Sequence, residues 1–274
     1  MATTMERPGP QVVRPRPARR APWPVEFYRS AVGKKWVMAL TGLMIMGFVF
    51  GHAFGNLKVY FGPDDFNHYG EFLRDLFVPL LPRTWFLWLM RGGLIVAFAL
   101  HIHAAWSLTR MNQRARSGGY VQERDWQAAN LASRSMRWTG VVIGLFVVFH
   151  LADLTWGTVN PDYVRGDVYR NFVATFSRPP VAIIYLVANL ALVVHLFHGA
   201  WSMFQSLGLN NPRWNRWRRG FAIGFAATVG AMNLSFPLAV MTGIVDDDDC
   251  VKRGDVIVSC QQDDGGHDLE EAHQ

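Results

Sequence analysis

Two long uncharged stretches stand out in the pattern of hydrophobic and polar positions along the chain. No Asp, Glu, Lys or Arg occurs in the 22 residues between Lys35 and Lys58, or in the 26 residues between Arg219 and Asp246. A helix of about 20 apolar residues crosses the ~30 Å hydrocarbon core of a bilayer. Three further apolar stretches lie between these two. Together the five stretches predict an all-α integral membrane protein without an internal repeat. Its five predicted transmembrane helices lie at residues 34–57, 84–108, 136–156, 180–207 and 220–244.

The composition agrees with a membrane protein. Only 18% of the 274 residues are charged and 50% are hydrophobic, whereas about a quarter of the residues in a soluble domain are charged. Soluble, disulfide-rich secreted and disordered chains are therefore excluded. The net charge of +6 does not indicate nucleic acid binding, because the basic residues flank the apolar spans as membrane topology requires.

The basic residues also predict an orientation. Of the 27 Lys and Arg residues, 18 fall in the N-terminal stretch and the two loops on the same side of the predicted bundle. Because positive charge stays in the cytoplasm, we expect a cytoplasmic N-terminus and an extracytoplasmic C-terminus at the cell membrane. The predicted domains are a disordered Pro/Arg-rich tail at 1–28, the helical anchor at 29–245 and an acidic outer tail at 246–274.

Histidines within the predicted spans carry the candidate chemistry. Six of the nine histidines lie there, and ionisable groups inside a membrane usually mark a functional site. The alternative is that they bond neighbouring helices as structural polar residues. From the helical rise of ~1.5 Å per residue, His52 and His150 fall in the outer half of the membrane (the outer pair). His101 and His195 fall in the inner half (the inner pair).

Two histidines from facing helices at one depth are the axial ligand set of haem b. The inner pair has two alternatives, because His103 lies two residues after His101 and His198 lies three residues after His195. Small residues near the outer pair would leave room for a planar group, although such stripes also serve ordinary helix packing. These are Gly47, Gly51 and Gly55 on the first span and Gly140 and Gly144 on the third.

Several segments together resemble one family. They are SAVGKKWVMALTGL with GHAFGNL, LHIHAAWSLTRMNQRAR, ASRSMRWTG with FHLADL, and VVHLFHGAWSMFQSLGLNNPRWNRW. The sequence is similar to the single-chain, five-helix cytochrome b anchor of succinate dehydrogenase and fumarate reductase (respiratory complex II), and to its actinobacterial form in particular. The resemblance covers about residues 29–244.

The resemblance implies ligand positions, partners and a substrate. It puts haem ligands at His52, His101, His150 and His195, with His103 as a shifted alternative. It also implies a flavoprotein subunit, an iron–sulfur subunit and a membrane quinone, either menaquinone or ubiquinone. The chain has no G-x-G-x-x-G fingerprint between a strand and a helix and no ferredoxin-like Cys cluster. We therefore expect succinate oxidation to occur in the partner chains, with this chain as a subunit of the enzyme.

The quinone site has two candidate locations. At the inner face, cationic and hydroxyl groups could bond the quinone carbonyls; these groups are Arg29, Ser30, His198, Trp201 and Ser202. Ser30 and Arg29 also fit a plainer interpretation, as a helix cap and an interfacial anchor. At the outer face, the carboxylate of Glu71 or Asp75 could exchange protons with the quinone.

The two cysteines of the chain, Cys250 and Cys260, lie in the C-terminal tail. The sequence between them predicts a short hairpin that turns at 253–255. The thiols then close a disulfide, remain unpaired, or join the outer pair as the Cys2His2 ligand set of a Rieske-type [2Fe–2S] cluster. Such a cluster would replace the outer haem.

Two other classes of protein remain open from the residues alone. One is the cytochrome b subunit of a nitrate reductase or hydrogenase, which also uses transmembrane histidine pairs. The other is a non-redox membrane protein with structural histidines. Visible absorbance of the purified chain separates the redox classes from the non-redox class.

Overall fold

The computed structural model describes residues 21–115, 128–209, 211–246, 250–253 and 256–260. Within these ranges, only the backbone is described for 128–134, 250–253 and 256–260. The described helices are α1 (Trp23–Arg29), α2 (Ala31–Asn56), α3 (Pro63–Asp75), α4 (Trp85–Arg114), α5 (Ala128–His150), α6 (Val168–Phe176), α7 (Pro179–Ser206) and α8 (Pro212–Met241). A 3-10 turn, Leu57–Phe61, continues α2, and a π-helical turn, Leu151–Thr155, continues α5. Two strands, β1 (Cys250–Arg253) and β2 (Val256–Cys260), follow.

Five of these helical segments are long and apolar enough to cross a membrane, which confirms the predicted number of spans. They are Ala31–Phe61, Trp85–Arg114, Ser135–Thr155, Pro179–Ser206 and Pro212–Met241. The fifth begins eight residues before its predicted start at 220. Pro212 occupies the first helical turn and the Asn211 side chain accepts a hydrogen bond from the Arg213 amide at 3.0 Å. The helix therefore starts at a cap, whereas hydropathy marks only its membrane part.

The helices α2 and α7 contact each other at the centre of the bundle. α4 packs on α2, while α5 and α8 pack on α7. α7 and α8 approach closely at Gly230, where a Cβ atom would lie 2.5 Å from Cγ2 of Val193. Small buried residues such as Ala200, Ala222 and Ala226 line the same contact. Small residues of this kind allow membrane helices to pack closely without a hydrophobic driving force.

Two short helices, α3 and α6, cover one end of the bundle. The Asn67 side chain of α3 accepts hydrogen bonds from the amides of Val168 and Tyr169, at 2.8 and 3.0 Å. Its amide group donates to Asp167 Oδ1 at 3.1 Å. An aromatic core that includes Phe66, Phe172, Phe176, Tyr185 and Phe236 fills the space beneath. This end of the bundle, called the α3–α6 end below, is therefore closed by two short helices over a buried aromatic core.

The structure differs from the predicted domain boundaries at the N-terminus. Residues 1–28 were expected to be disordered, yet α1 covers Trp23–Arg29, with prolines 22 and 24 at its start, where a proline is tolerated. Residues 1–20 lie outside the described residues. The predicted hairpin is present, with β1 and β2 antiparallel and Cys250 opposite Cys260. The remainder of the predicted tail, 247–249 and 261–274, and the turn at 254–255 are not described.

Candidate functional site

His101 of α4 lies against the first half of α2. Its Nδ1 atom is 3.3 Å from Thr41 Oγ1 and 3.2 Å from the carbonyl oxygen of Met38. The imidazole covers Gly42, where a Cβ would lie 3.2 Å from His101 Cε1. A side chain at position 42 would therefore make a tight contact with the imidazole, which glycine avoids.

His195 of α7 has the same surroundings on α5. Its Nδ1 atom is 3.1 Å from Thr139 Oγ1. A Cβ built on Gly140 would lie 3.6 Å from His195 Cε1. His195 also lies close enough to His101 and His198 to interact electrostatically with both. The two members of the inner pair are therefore each held by a Thr-Gly doublet on a neighbouring helix.

The threonine hydroxyls determine which imidazole nitrogen carries the proton. Thr41 Oγ1 donates to the Val37 carbonyl at 2.7 Å, and Thr139 Oγ1 donates to the Ser135 carbonyl at 2.9 Å. Since each hydroxyl proton is used there, the oxygen accepts a hydrogen bond from Nδ1–H of the histidine. Nε2 of each imidazole then keeps its lone pair, which is the arrangement that orients a metal-ligating histidine.

The outer pair comes together between α2 and the end of α5. The ring centres of His52 and His150 are 6.0 Å apart, with an interplanar angle of 85°. Rings at this distance and angle meet edge to face, and the same two imidazoles would be able to hold a haem iron between the helices. His52 also stacks on Phe48 at 5.4 Å, and His150 Nδ1 is 3.3 Å from the Tyr185 hydroxyl.

The two pairs lie at different levels of the bundle. His52 follows Thr41 by eleven residues on α2, and His150 follows Thr139 by the same number on α5. At a rise of ~1.5 Å per residue, the two levels are about 16 Å apart. Each level therefore brings together two histidines from different parts of the chain.

The equal spacing belongs to one of two short sequence similarities between the spans. Thr-Gly followed by His at eleven residues occurs in α2 and α5, and His-Ala-Ala-Trp-Ser of α4 matches His-Gly-Ala-Trp-Ser of α7. The second match pairs His103 with His198, not His101 with His195, so the two similarities do not relate the members of the inner pair to each other.

The alternative histidines have other surroundings. His103 is exposed, stacks on Tyr28 and makes a 2.6 Å hydrogen bond through Nδ1 to the Tyr28 hydroxyl. It faces α1 and the start of α2. His198 is half-buried on α7, one turn beyond His195. The geometry therefore favours His101 over His103 as the partner of His195.

The glycines singled out from the sequence fall into two groups. A Cβ at Gly47, Gly51 or Gly144 would meet no heavy atom within 4 Å, so these positions leave open space beside the histidine helices. Gly55 instead permits a close contact, because a Cβ there would lie 2.5 Å from the Tyr69 hydroxyl.

The inner quinone candidates divide between two places. Ser30 accepts the Gly33 amide at 2.9 Å as the cap of α2, and Arg29 offers its carbonyl to Lys34 Nζ at 2.9 Å. On α7, Ser202 donates to the Gly199 carbonyl at 3.2 Å, and Trp201 lies beneath the Arg218 guanidinium, 5.2 Å from the ring centre. Across the described side chains, no hydrogen bond joins Arg29 or Ser30 to His198, Trp201 or Ser202. The capping role of Ser30 is present in the structure.

The outer quinone candidates form an ion-pair cluster. Glu71 is paired with Arg74 and with Arg83, and Arg83 Nε lies 2.8 Å from Asp75 Oδ1. All four side chains are about half exposed. The carboxylates are therefore available from the surface but already paired with arginine.

The number of ligands bears on the kind of metal centre. Within the described residues, no group of three or more His, Cys, Asp and Glu side chains could hold a metal ion. Each histidine pair offers two nitrogens on opposite helices. Haem iron needs only two protein ligands, since the macrocycle provides the others, so the two pairs fit haem better than a bare metal ion.

The arrangement defines a class: a multi-pass membrane protein whose helices bring histidines together at two levels. The family of succinate dehydrogenase/fumarate reductase transmembrane subunits matches residues 113–232, somewhat under half of the chain. The matched part runs from the end of α4 into α8 and includes His150, His195 and His198. The match supports a membrane subunit of this kind, in agreement with the sequence resemblance. The actinobacterial origin stays a prediction, and no curated protein and no solved structure matches the chain.

Proposed function

We propose that this chain anchors the catalytic subunits of a succinate:quinone oxidoreductase in the membrane and holds two haem b groups. His101 and His195 would hold the inner haem, and His52 and His150 the outer haem. When bound, the two haems would supply one-electron transfer between an iron–sulfur partner and menaquinone or ubiquinone. Succinate oxidation itself belongs to the flavoprotein partner.

The observation that carries this proposal is that the two inner histidines make similar contacts with the helices beside them. Thr41 and Thr139 each accept a hydrogen bond from Nδ1–H and leave Nε2 free, and the imidazoles lie over the adjacent Gly42 and Gly140. A structural histidine needs only one hydrogen bond to a neighbouring helix. Two copies of the same Thr-Gly support, each leaving the second nitrogen available, favour ligation.

The chain's residues would have four tasks in this function. The histidines fix the two ligand positions at levels about 16 Å apart, and the threonines hold the imidazole tautomer. The apolar helices exclude water from both levels. Basic residues of the N-terminal stretch and of the loops after α4 and before α8 would dock the partner subunits in the cytoplasm, with the C-terminus outside.

The quinone would bind at the inner face, where His198, Trp201 and Ser202 share the last turns of α7. The position of Arg29 and Ser30 at the start of α2 makes them contributors from the neighbouring helix. The outer alternative at Glu71 and Asp75 would use carboxylates that are already paired with arginine. A bound quinone located in a structure of the complex distinguishes the two faces.

The Rieske-type cluster is the alternative to the outer haem. It would take its histidines from the outer pair and its thiolates from Cys250 and Cys260. The register of the hairpin supports the disulfide instead, because directly opposed residues of antiparallel strands have Cα atoms ~4.5–5.5 Å apart, within the range of a disulfide. Electron paramagnetic resonance of the reduced complex distinguishes the cluster from a haem.

The experiment is purification of the affinity-tagged chain with its partners, followed by haem and iron quantitation and redox-difference spectra. We expect a flavoprotein and an iron–sulfur subunit to copurify, with two haems b per anchor. His195→Ala should remove the inner haem signal and leave the outer one. His68→Ala is the matched control, because His68 is an exposed histidine on α3.

Two results contradict the proposal. A colourless complex without haem would leave the histidines with a structural role. A His195→Ala variant with both haems and full quinone reduction would show that the inner ligands are assigned wrongly.

A further inference from the structure

A buried ion pair lies directly beyond the outer pair, at the α3–α6 end of the bundle. Asp153, in the π-helical turn after His150, is fully buried. Arg178, which precedes α7, donates to Asp153 Oδ1 at 2.5 Å. The same guanidinium donates to the carbonyls of Ala174 and Val159, at 3.1 and 2.9 Å. Its hydrogen bonds anchor Arg178 in one position, with the guanidinium facing the buried carboxyl group of Asp153.

Tyr185 connects this ion pair to His150. Its hydroxyl donates to Asp153 Oδ2 at 3.2 Å and lies 3.3 Å from His150 Nδ1. Because the Tyr185 hydroxyl donates its proton to Asp153, its oxygen accepts a hydrogen bond from Nδ1–H of His150. The Nε2 atom of His150 therefore keeps the lone pair that a metal ligand needs.

Aromatic packing fixes the tyrosine ring. Phe146 and Phe176 each meet it edge to face, with ring centres 4.9 Å away, and only 4% of Tyr185 is exposed. A ring held on two sides cannot swing its hydroxyl to another partner. The distance from His150 to the carboxylate is thus set by the fold rather than by a mobile side chain.

The support of His150 differs in charge from that of the inner pair. Thr41 and Thr139 are neutral hydroxyls whose protons go to backbone carbonyls. Behind the Tyr185 hydroxyl stands a carboxylate, which polarises the hydroxyl and makes its oxygen a stronger acceptor. A stronger acceptor at Nδ1 raises the basicity of the imidazole as a ligand.

We propose that Tyr185, Asp153 and Arg178 form a positioning network for the outer redox centre, which fixes His150 and lowers the reduction potential of that centre. The inference rests on the proposed function, because it takes His150 as a haem ligand. A more basic ligand stabilises the ferric state over the ferrous state. With this network, the outer haem is therefore a weaker oxidant than it would be with a neutral threonine in place of Tyr185.

The test is a redox titration of the whole complex with Tyr185→Phe, which keeps the packed ring and removes only the hydroxyl. The outer haem is assigned as the signal lost in His52→Ala. We expect both haems to remain bound. At a fixed solution potential, the ferric-to-ferrous ratio of the outer haem should fall about tenfold, which corresponds to a rise of ~59 mV in its one-electron reduction potential. The electron paramagnetic resonance signal of the ferric outer haem should shift, while the inner haem stays unchanged.

Three further variants make the outcome specific. Asp153→Asn keeps an acceptor for the tyrosine but removes the charge, so the outer potential should rise by a smaller amount. Tyr60→Phe is the matched control, since the Tyr60 hydroxyl bonds Ser235 at 2.7 Å and not a histidine; neither haem should change. Thr139→Val should move the inner potential only.

Each result has a defined meaning. An unchanged outer potential and spectrum in Tyr185→Phe, with two haems bound, overturns the network while leaving the proposed function intact. An equal shift in Tyr60→Phe overturns it as well, because the effect would then be general. A wild-type complex without haem overturns the proposed function and the network together.

Discussion

The contact between α7 and α8 at Gly230 gives a prediction whose size follows from the structure. In Gly230→Ala, the new Cβ would lie 2.5 Å from Val193 Cγ2, whereas carbon atoms pack comfortably at ~3.5–4.0 Å. Valine in a helix has essentially one rotamer, so Val193 cannot turn away and the helices must separate. Overpacking of this kind costs about 1–3 kcal/mol, and a stiff neighbour places this case near the upper value.

The helix itself gains from the substitution, which must be subtracted. Alanine is preferred over glycine in a helix by about 1 kcal/mol. The net loss for Gly230→Ala is therefore about 2 kcal/mol, or roughly 4–8 °C in the melting midpoint at ~2–4 °C per kcal/mol. Because Val193 lies two residues before His195, the displaced helix should also weaken haem binding at the inner pair.

The assay is thermal unfolding of the detergent-solubilised complex, with haem content measured in parallel. Gly224→Ala is the matched control: it lies on the same helix, and a Cβ there meets no atom within 4 Å, so its midpoint should stay level or rise. Adding Val193→Ala to Gly230→Ala should recover part of the loss, as a double-mutant cycle measures. A Gly230→Ala protein as stable as Gly224→Ala would refute the close approach of the two helices.

Three further outcomes are expected. Thr139→Val should lower the haem affinity at His195 by ~10–100-fold, as the loss of a hydrogen-bond partner to a metal-ligating histidine does. Absorbance spectra recorded at limiting haem measure this affinity. Cys250 and Cys260 should resist thiol alkylation until a reductant is added, and their ready modification in the oxidised complex would contradict the disulfide. Asn67→Ala leaves the first amides of α6 without an acceptor, so the melting midpoint should fall by an amount equivalent to ~1–3 kcal/mol; an unchanged midpoint would contradict the bridging role of Asn67.

The membrane spans could be predicted because a bilayer leaves few choices. A chain of about 20 uncharged residues satisfies its backbone in lipid only as a helix or in a closed barrel. The short helices were not predicted, since their apolar residues alternate with charge. α3 nevertheless carries a signal: Asp64 and Asp65 lie in its first turn and Arg74 in its last, as the helix dipole favours.

The candidate histidines were also accessible from sequence, because ionisable groups in a membrane are rare enough to be noticed. Their partners were not. Thr41, Thr139 and Tyr185 lie 60, 56 and 35 residues from the histidines they contact. Hydroxyl side chains are common in membrane helices, so only the packing of one helix on another identifies these three. The repeated Thr-Gly doublet was the one sequence signal that could have found the threonines.

The placement of the histidines along the chain has a consequence for the order of assembly. The first half of the chain contributes His52 and His101, and the second half contributes His150 and His195. Neither half contains both histidines of a pair. A centre held by either pair would therefore form only after the two halves have docked, so haem uptake would report the last step of folding.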